Sequence, residues 1–304
     1  MDALPEIPHR LPGDVGEQWF GMTYVIVSSR FSDLVHGSAH LPLRPHSSPR
    51  ETMSHRVTTA SDARNAEKCY DFGMPPQTKD QYIEEIHSFF REVYGWMFLG
   101  LLVSGVVAFT VGTHPSLYGP LFINSPLFIF IILFELALVV GLISFIKRMT
   151  AEVAVCLFFL YCFTTGLTLS VIFLVYELPS IGQMFFISAG MFGVMSAYGY
   201  YTKRDLTGLG NVLMMGLFGI IIAGIINLFL RNSMVDFITA AIGVVVFTGL
   251  TAYDTQKIRS QNILGNDGTP EDTKESIIGA LILYLDFVNL FLKMLRLFGK
   301  RRRS

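Results

Sequence analysis

Three acidic residues stand out in this sequence because each lies within a long apolar stretch. Glu135 lies in FELALVVGL, Asp254 in TAYDTQK and Asp286 in LYLDFVNLF. A charged side chain at the centre of a membrane helix costs on the order of 2.5–3.5 kcal/mol on insertion scales, so it faces the protein interior and marks a functional site. Carboxylate oxygens suit calcium when ionised and lose their charge when protonated. The three residues therefore predict a cation site that responds to pH.

The two aspartates lie on consecutive predicted helices, the sixth and the seventh, and can therefore form a pair. Two carboxyl groups held close together share a proton, because both cannot be ionised at short range. We expect this pair to be the pH sensor and gate, and to hold calcium when deprotonated. Contact between the two carboxyl groups requires the seventh helix to begin about two turns below the end of the sixth. This follows because Asp254 lies about 5 Å inside its predicted helix end and Asp286 about 15 Å from Ser276.

Paired aspartates also have a catalytic interpretation, since they activate water in aspartic proteases, including intramembrane ones. Di-aspartyl intramembrane proteases carry YD on one helix and GxGD on the next, whereas Asp286 follows Leu283, Tyr284 and Leu285. The similar string LGNDG, at 264–268, is typical of an ordinary turn. The membrane region also lacks GxxxxGK[ST], GxGxxG, HExxH and GxSxG strings. The sequence thus favours a protein that is not an enzyme and needs no cofactor, with calcium as a transported or transiently bound ion.

The last helix carries a polar stripe, because Asp286, Asn289, Lys293 and Arg296 fall at i, i+3, i+7 and i+10. A polar stripe on an apolar segment predicts that other helices surround this one and that the stripe faces a wet or paired interior. Asn289 is accordingly predicted to line the pore or to take part in a latch. For Lys293 and Arg296, which lie near the helix end, a structural role with their charges reaching the interface is favoured.

The elements that must position these residues follow from composition. The chain has 304 residues, of which 51% are hydrophobic and 15% are charged, against about 25% charged in soluble domains. Its apolar residues run in blocks of about 20, which is the length that spans a membrane. We therefore predict an all-α integral membrane protein with seven transmembrane helices, at 94–113, 122–146, 152–175, 181–201, 208–230, 235–256 and 276–298. A net charge of −1 with scattered basic residues excludes nucleic acid as a partner.

Residues 1–80 differ in kind from the membrane region at 81–299 and the basic tail at 300–304. The leader is rich in His, Pro, Ser and Arg without sustained periodicity, so we predict that it is disordered and is not a signal peptide. Translation from Met53 instead of Met1 is an alternative. After the leader, KDQYIEEIHSFFREVY predicts an amphipathic helix before the first span. Its apolar face consists of Tyr82, Ile86, Phe89, Phe90 and Val93.

The connecting loops predict the orientation, because Lys and Arg are held on the cytoplasmic side. Loops one, three and five contain only Arg231. Loops two, four and six contain Lys147, Arg148, Lys203, Arg204, Lys257, Arg259 and Lys274. These charges predict a cytoplasmic amino terminus. Seven complete spans would then put the basic tail outside, so either the last helix is re-entrant or the tail escapes the rule.

Several segments together resemble the Bax inhibitor 1 family in its bacterial branch, over roughly residues 80–299. The most specific are FGVMSAYGYYTKRDLTGLG, FTGLTAYDTQKI and GALILYLDFVNLFLKMLRLFG. The resemblance implies six helices around a hydrophobic last helix, and a calcium leak controlled by protonation of a di-aspartyl site. Asp254 and Asp286 match the paired aspartates, and Glu135 matches the acidic residue of the second helix, a pore position. Arg148, next to Lys147, resembles a basic residue that latches the pair.

Two functions compete on this basis. The first is a proton-gated calcium leak in the lipid bilayer, to which the acidic residues of the spans point. The alternative is a regulatory partner of a membrane-embedded protease, as some bacterial relatives are thought to be. The leader and tail would then be docking elements and the aspartates structural. The resemblance also implies a bacterial inner membrane location. Lys293 departs from the family, where a neutral residue is more usual.

Overall fold

A computed structural model describes residues 76–114, 125–230, 232–261 and 269–302. The predicted disorder of the leader lies almost wholly outside these residues. Within them, seven helices are long and apolar enough to cross a membrane, which confirms the predicted all-α membrane fold. Their bounds are α1 Pro76–Thr113, α2 Ser125–Phe145, α3 Ala151–Leu169, α4 Leu178–Tyr201, α5 Thr207–Leu230, α6 Ser233–Gln261 and α7 Pro270–Phe298.

The last helix, α7, forms the centre of the bundle. Every residue from Ser276 to Leu295 is buried, so α7 has no face toward lipid over this length. Helices α1, α3, α4 and α6 pack directly against it, while α2 packs on α3 and α5 packs on α6. A membrane helix with several polar side chains is favoured in such a position, because none of them then faces lipid. The predicted central position of the last helix is confirmed.

Helix α1 contains both the amphipathic run and the first span, which were predicted as separate elements. No proline follows Pro76 before the helix ends at Thr113, so nothing interrupts its backbone hydrogen bonds. The predicted apolar face is buried at Ile86, Phe89, Phe90 and Val93, and the side chain of Tyr82 lies outside the described residues. The amphipathic run is therefore a packed extension of the first span.

Helix α7 begins six residues before the predicted span, because its first turn is capped. The hydroxyl of Thr269 accepts a hydrogen bond of 3.2 Å from the backbone N–H of Asp272. Pro270 occupies the first turn, and Glu271 and Asp272 bring negative charge to the helix amino terminus. These residues satisfy or complement the free N–H groups of a helix start, so the polar run before Ser276 is helical.

The basic tail lies on the same side of the bundle as the link between α3 and α4. The backbone N–H of Glu177 donates to the carbonyl of Lys300, and that of Arg302 donates to the carbonyl of Val175, both at 2.9 Å. The Lys300 ammonium also lies 3.1 Å from a carboxylate oxygen of Glu177. Helix α7 therefore crosses the whole bundle. We call the side on which Lys300 and Arg302 lie the tail side, and the side of the links after α2 and α4 the basic-loop side.

Candidate functional site

Helices α6 and α7 form an antiparallel seam whose register follows from two close approaches. A Cβ added at Gly279 would lie 3.4 Å from Cγ2 of Ile258. A Cβ added at Gly243 would lie 3.0 Å from Cδ of Lys293. Fifteen residues of α6 thus run antiparallel to fourteen residues of α7. Gly243 and Ile258 mark the stripe of α6 that faces α7, and Gly279 and Lys293 mark the stripe of α7 that faces α6.

Both aspartates lie on these facing stripes. Asp254 is one turn before Ile258 on α6, and Asp286 is seven residues from both Gly279 and Lys293 on α7. Counting from the level of Ile258 and Gly279 puts Asp254 three residues, about 4.5 Å along the axis, from the level of Asp286. Their exposed fractions are 1% and 0%. The structure therefore brings the two carboxyl groups into one buried seam.

The depth of Asp254 differs from the prediction because α6 is longer than its apolar part. The predicted span ends at residue 256, whereas α6 continues to Gln261 through a polar last turn. Asp254 therefore lies about 10 Å inside the helix end instead of about 5 Å. Helix α7 also begins earlier than predicted, so Asp286 lies about 24 Å inside its own helix end instead of about 15 Å.

The remaining stripe residues of α7 have separate surroundings. The side-chain amide of Asn289 donates to the carbonyl of Leu285 at 2.8 Å, a bond within its own helix. The charge of Lys293 was predicted to reach the interface. Lys293 is instead buried, with an exposed fraction of 6%. A guanidinium nitrogen of Arg296 lies 2.9 Å from a carboxylate oxygen of Asp236 in α6. Asn227 of α5 also donates to that oxygen.

Asp236 was not singled out in the sequence. An acidic residue in the first turn of a helix is common, because it complements the positive end of the helix dipole. Its pairing with Arg296 depends on how far α7 extends toward the tail side. The ion pair agrees with the structural role favoured for Arg296.

Glu135 lies in a second polar site, between α2 and α3. The hydroxyl of Thr165 donates to one carboxylate oxygen at 2.5 Å, and that of Thr168 lies 3.3 Å from the other. The two threonines are three residues apart and share one face of α3. The sequence string TTGLTL contains both, but threonines in a membrane helix also bond to their own backbone, as Thr168 does to Thr165.

This second site lies on the opposite face of α7 from the aspartates. The hydroxyl of Tyr284 on α7 donates to Ser104 of α1 at 2.9 Å, and its ring lies 5.9 Å from that of Tyr161 on α3. Tyr161 lies one turn before Thr165 on the same face of α3, so the ring of Tyr284 lies beside the Glu135 site. Tyr284 and Asp286 are two residues apart, which places them about 200° apart around the helix. The three acidic residues therefore form two sites.

Arg148, the predicted latch, lies in the turn that follows α2. Its side chain and that of Lys147 are exposed at the basic-loop side. The aspartates are buried in the seam between α6 and α7, whereas α2 packs on α3. The structure thus places Arg148 on the exposed surface of the basic-loop side, and its role as a latch stays a prediction.

A chain of hydroxyl groups lies next to Asp254 and was not predicted. Tyr94 of α1 bonds to Ser196 of α4, and Ser196 lies 3.0 Å from the hydroxyl of Thr255 in α6. Thr255 donates in turn to the carbonyl of Thr251 at 2.7 Å. These bonds tie three helices together at the level of the aspartate pair.

The basic-loop end of the seam is closed by polar contacts from α6. Arg259 donates to the carbonyl of Tyr200 at 2.6 Å, and its guanidinium lies 5.2 Å from the ring centre of that residue. Gln256 donates to the carbonyl of Arg204 at 2.8 Å.

The described residues contain no group of three or more His, Cys, Asp or Glu that could hold a metal ion. Two carboxylates are therefore the most that the seam offers a cation.

Two comparisons with known proteins cover the same part of the chain. A family model described as Inhibitor of apoptosis-promoting Bax1 matches residues 86–303. Inner membrane protein YbhL of Escherichia coli strain K12 is 47% identical over 221 residues, covering 71% of this chain and 93% of that protein. An uncharacterized protein of Borreliella burgdorferi is 43% identical over 218 residues, covering 72% of this chain and 94% of that protein. The matched region contains Glu135, Asp254 and Asp286.

Proposed function

This chain belongs to the Bax inhibitor 1 family of multi-pass membrane proteins, and we propose that it acts as a pH-sensitive leak pathway for cations, including calcium. The observation that carries the proposal is the burial of Asp254 and Asp286 in one seam beside the central helix. Ionised carboxylates without solvent attract a cation strongly, because the medium screens them little. A proton on either carboxyl group removes one negative charge and weakens that attraction. Protonation thereby couples pH to cation passage.

The second polar site contributes to the pathway from the other face of α7. Glu135 is the one acidic residue in the span of α2 and has two threonine hydroxyls directed at its carboxylate. Carboxylate oxygens such as those of Glu135 are ligands for calcium. In the proposed function Glu135 is a pore position, Asn289 lies beside the gate and no residue performs a catalytic step.

The location that we propose is a bacterial inner membrane, which is where the name of the E. coli relative places that protein. The basic residues of the links after α2 and α4 are exposed on one side of the bundle. Since Lys and Arg are retained in the cytoplasm, we propose that the basic-loop side is cytoplasmic.

The test is calcium flux into liposomes that contain the full chain, measured between about pH 5 and about pH 8. We expect the wild-type flux to depend on pH, because the charge of the seam changes with protonation. In the double variant Asp254→Asn, Asp286→Asn the side chains keep their shape but do not titrate. We expect its flux to be independent of pH or absent.

The matched control is Asp205→Asn. Asp205 is exposed in the link after α4, where its carboxylate accepts from the backbone of Thr207 at 2.9 Å. Asn can accept the same backbone hydrogen bond in a turn, so this variant should keep the wild-type pH profile. If folded wild-type protein gives no flux above empty liposomes, the leak function is wrong and the role of protease partner takes its place.

A further inference from the structure

Helices α1 and α4 meet at a boundary that is bridged mainly by side chains. Both helices pack on α7, but within the described residues their backbones approach each other closely at few points. Across this boundary Tyr94 of α1 bonds to Ser196 of α4, and the ring of Phe90 lies 4.9 Å from that of Tyr200 in an edge-to-face contact. A ring nitrogen of His87 lies 3.3 Å from the hydroxyl of Tyr200. Few contacts therefore have to break for α1 and α4 to separate.

The hydroxyl chain that crosses this boundary has a fixed direction. The single hydroxyl proton of Thr255 goes to the carbonyl of Thr251, so Thr255 accepts the bond from Ser196. The proton of Ser196 is then used, so Ser196 accepts the bond from Tyr94. Tyr94 is therefore the donor at the start of the chain, and the link between α1 and α4 depends on its hydroxyl.

The chain lies between the basic-loop end of the bundle and Asp286. Thr255 is three residues before Ile258 on α6, and Ile258 faces Gly279 of α7. Because these two helices are antiparallel, Thr255 lies at the level of Ile282, about 6 Å along the axis from Asp286. A cation that enters along α6 from the basic-loop side passes this level before it reaches Asp286.

We propose that the bond from Tyr94 to Ser196 is the closing contact of the leak on the basic-loop side: it holds α1 against α4 when the pathway is closed and breaks when the pathway opens. This inference rests on the proposed leak function. Tyr94 is half-buried, so after release its hydroxyl can donate to water instead. Ser196 is buried and keeps its bond to Thr255, while Gln256 and Arg259 keep the end of α4 on α6. Opening at this boundary therefore breaks one hydrogen bond of the chain and leaves the rest intact.

The test measures calcium flux at one pH through the full chain in liposomes, for wild type and Tyr94→Phe. Phenylalanine loses only the hydroxyl and keeps the ring, which lies 5.8 Å from that of Phe90. The net contribution of one hydrogen bond predicts that the flux rises about two- to tenfold. Tyr198→Phe is the matched control, because it removes an exposed hydroxyl of α4 and should leave the flux unchanged. A large fluorescent dye trapped in the liposomes should stay inside in every case.

A second variant tests the other side of the same bond. Ser196→Ala removes the acceptor of the Tyr94 hydroxyl, so it should raise the flux by at least as much as Tyr94→Phe. Adding Tyr94→Phe to Ser196→Ala should change nothing further, because the bond is already lost. Ser196→Ala also carries the test if Tyr94→Phe does not fold.

The outcomes separate this closing contact from the function on which it rests. If wild type passes calcium and the flux of either single variant stays at or below the wild-type level, the closing contact is wrong and the leak stands. A double variant that passes more calcium than Ser196→Ala also overturns it, since the two residues then act separately. So does a rise in flux with loss of the dye, because the bilayer itself then leaks. If neither wild type nor the variants pass calcium, both the closing contact and the leak fall.

Discussion

Arg296 shows how a single residue can anchor the central helix. Its side chain has an exposed fraction of 6%, and its charge is balanced by Asp236, which is 28% exposed. Asn227 donates to the same carboxylate, and its own side-chain oxygen accepts from the backbone of Asn232 at 2.9 Å. The last turn of α7 is thus held to the start of α6 and the end of α5 by charge-assisted hydrogen bonds, which are the stronger kind.

We expect Asp236→Asn to destabilise the protein, because it leaves the buried charge of Arg296 without a counter-charge. Loss of one partner of a buried pair costs about 3–5 kcal/mol, and the partial exposure of Asp236 reduces this to roughly 2–3 kcal/mol. Thermal unfolding in detergent measures the effect as a lower midpoint. Adding Arg296→Met to this variant should restore most of the midpoint, since no charge is then left unpaired. A double variant as unstable as the single one would contradict this account.

At the level of elements, the bundle depends on a few positions where helix backbones touch. Gly199 of α4 is the closest of these, because a Cβ added there would collide with the carbonyl of Ala252 in α6. Ala252 lies two residues before Asp254, so this contact sets the distance of α4 from the seam. Small residues are what allow such approaches in membranes, where apolar faces gain little from association alone.

We expect Gly199→Ala to destabilise the bundle by about 1–3 kcal/mol, because the added methyl group pushes α4 away from α6. Gly193→Ala is the matched control in the same helix, since an added Cβ there meets nothing within 4 Å. Alanine also favours helix over glycine by about 1 kcal/mol, so the control should be neutral or slightly stabilising. Thermal unfolding of both variants in detergent gives the comparison. Equal midpoints would show that this backbone contact does not matter.

At the scale of the whole molecule, α7 separates two polar sites while contributing to both. Asp286 faces α6 and the first site, whereas Tyr284 reaches Ser104 of α1 beside the site of Glu135. A shift of α7 therefore alters both sites together. The hydrogen bonds of the tail to residues 175–177 resist such a shift, because they fix the end of α7 to the link between α3 and α4.

The side on which the tail lies can be tested by labelling in whole cells. We expect a cysteine at Arg301 to react with a membrane-impermeant thiol reagent added outside, and a cysteine at Lys203 to react only after the cells are opened. Both positions are exposed, and they lie on opposite sides of the bundle. The native cysteines are first replaced by serine, since Cys156 is itself exposed. Labelling of both positions, or of neither, from outside would contradict the proposed orientation.

The number, order and approximate bounds of the helices could be predicted from the sequence, because the cost of transferring each residue into lipid depends on local composition. The same cost predicted that Glu135, Asp254 and Asp286 would be buried, as they are. The spacing of polar residues along the last helix also distinguished that helix from the others. These features need no knowledge of which helices are neighbours.

Which of these residues contact each other could not be predicted, because it depends on how the helices pack. Arg296 pairs with Asp236, sixty residues away, and Glu135 bonds to Thr165, thirty residues away and on the other face of α7 from the aspartates. The predicted latch Arg148 is exposed, and the predicted surface cation Lys293 is buried. The physical reason is that membrane helices are apolar on every side, so hydropathy does not say which face packs on which neighbour. That choice depends on shape, at positions such as Gly199 and Gly243.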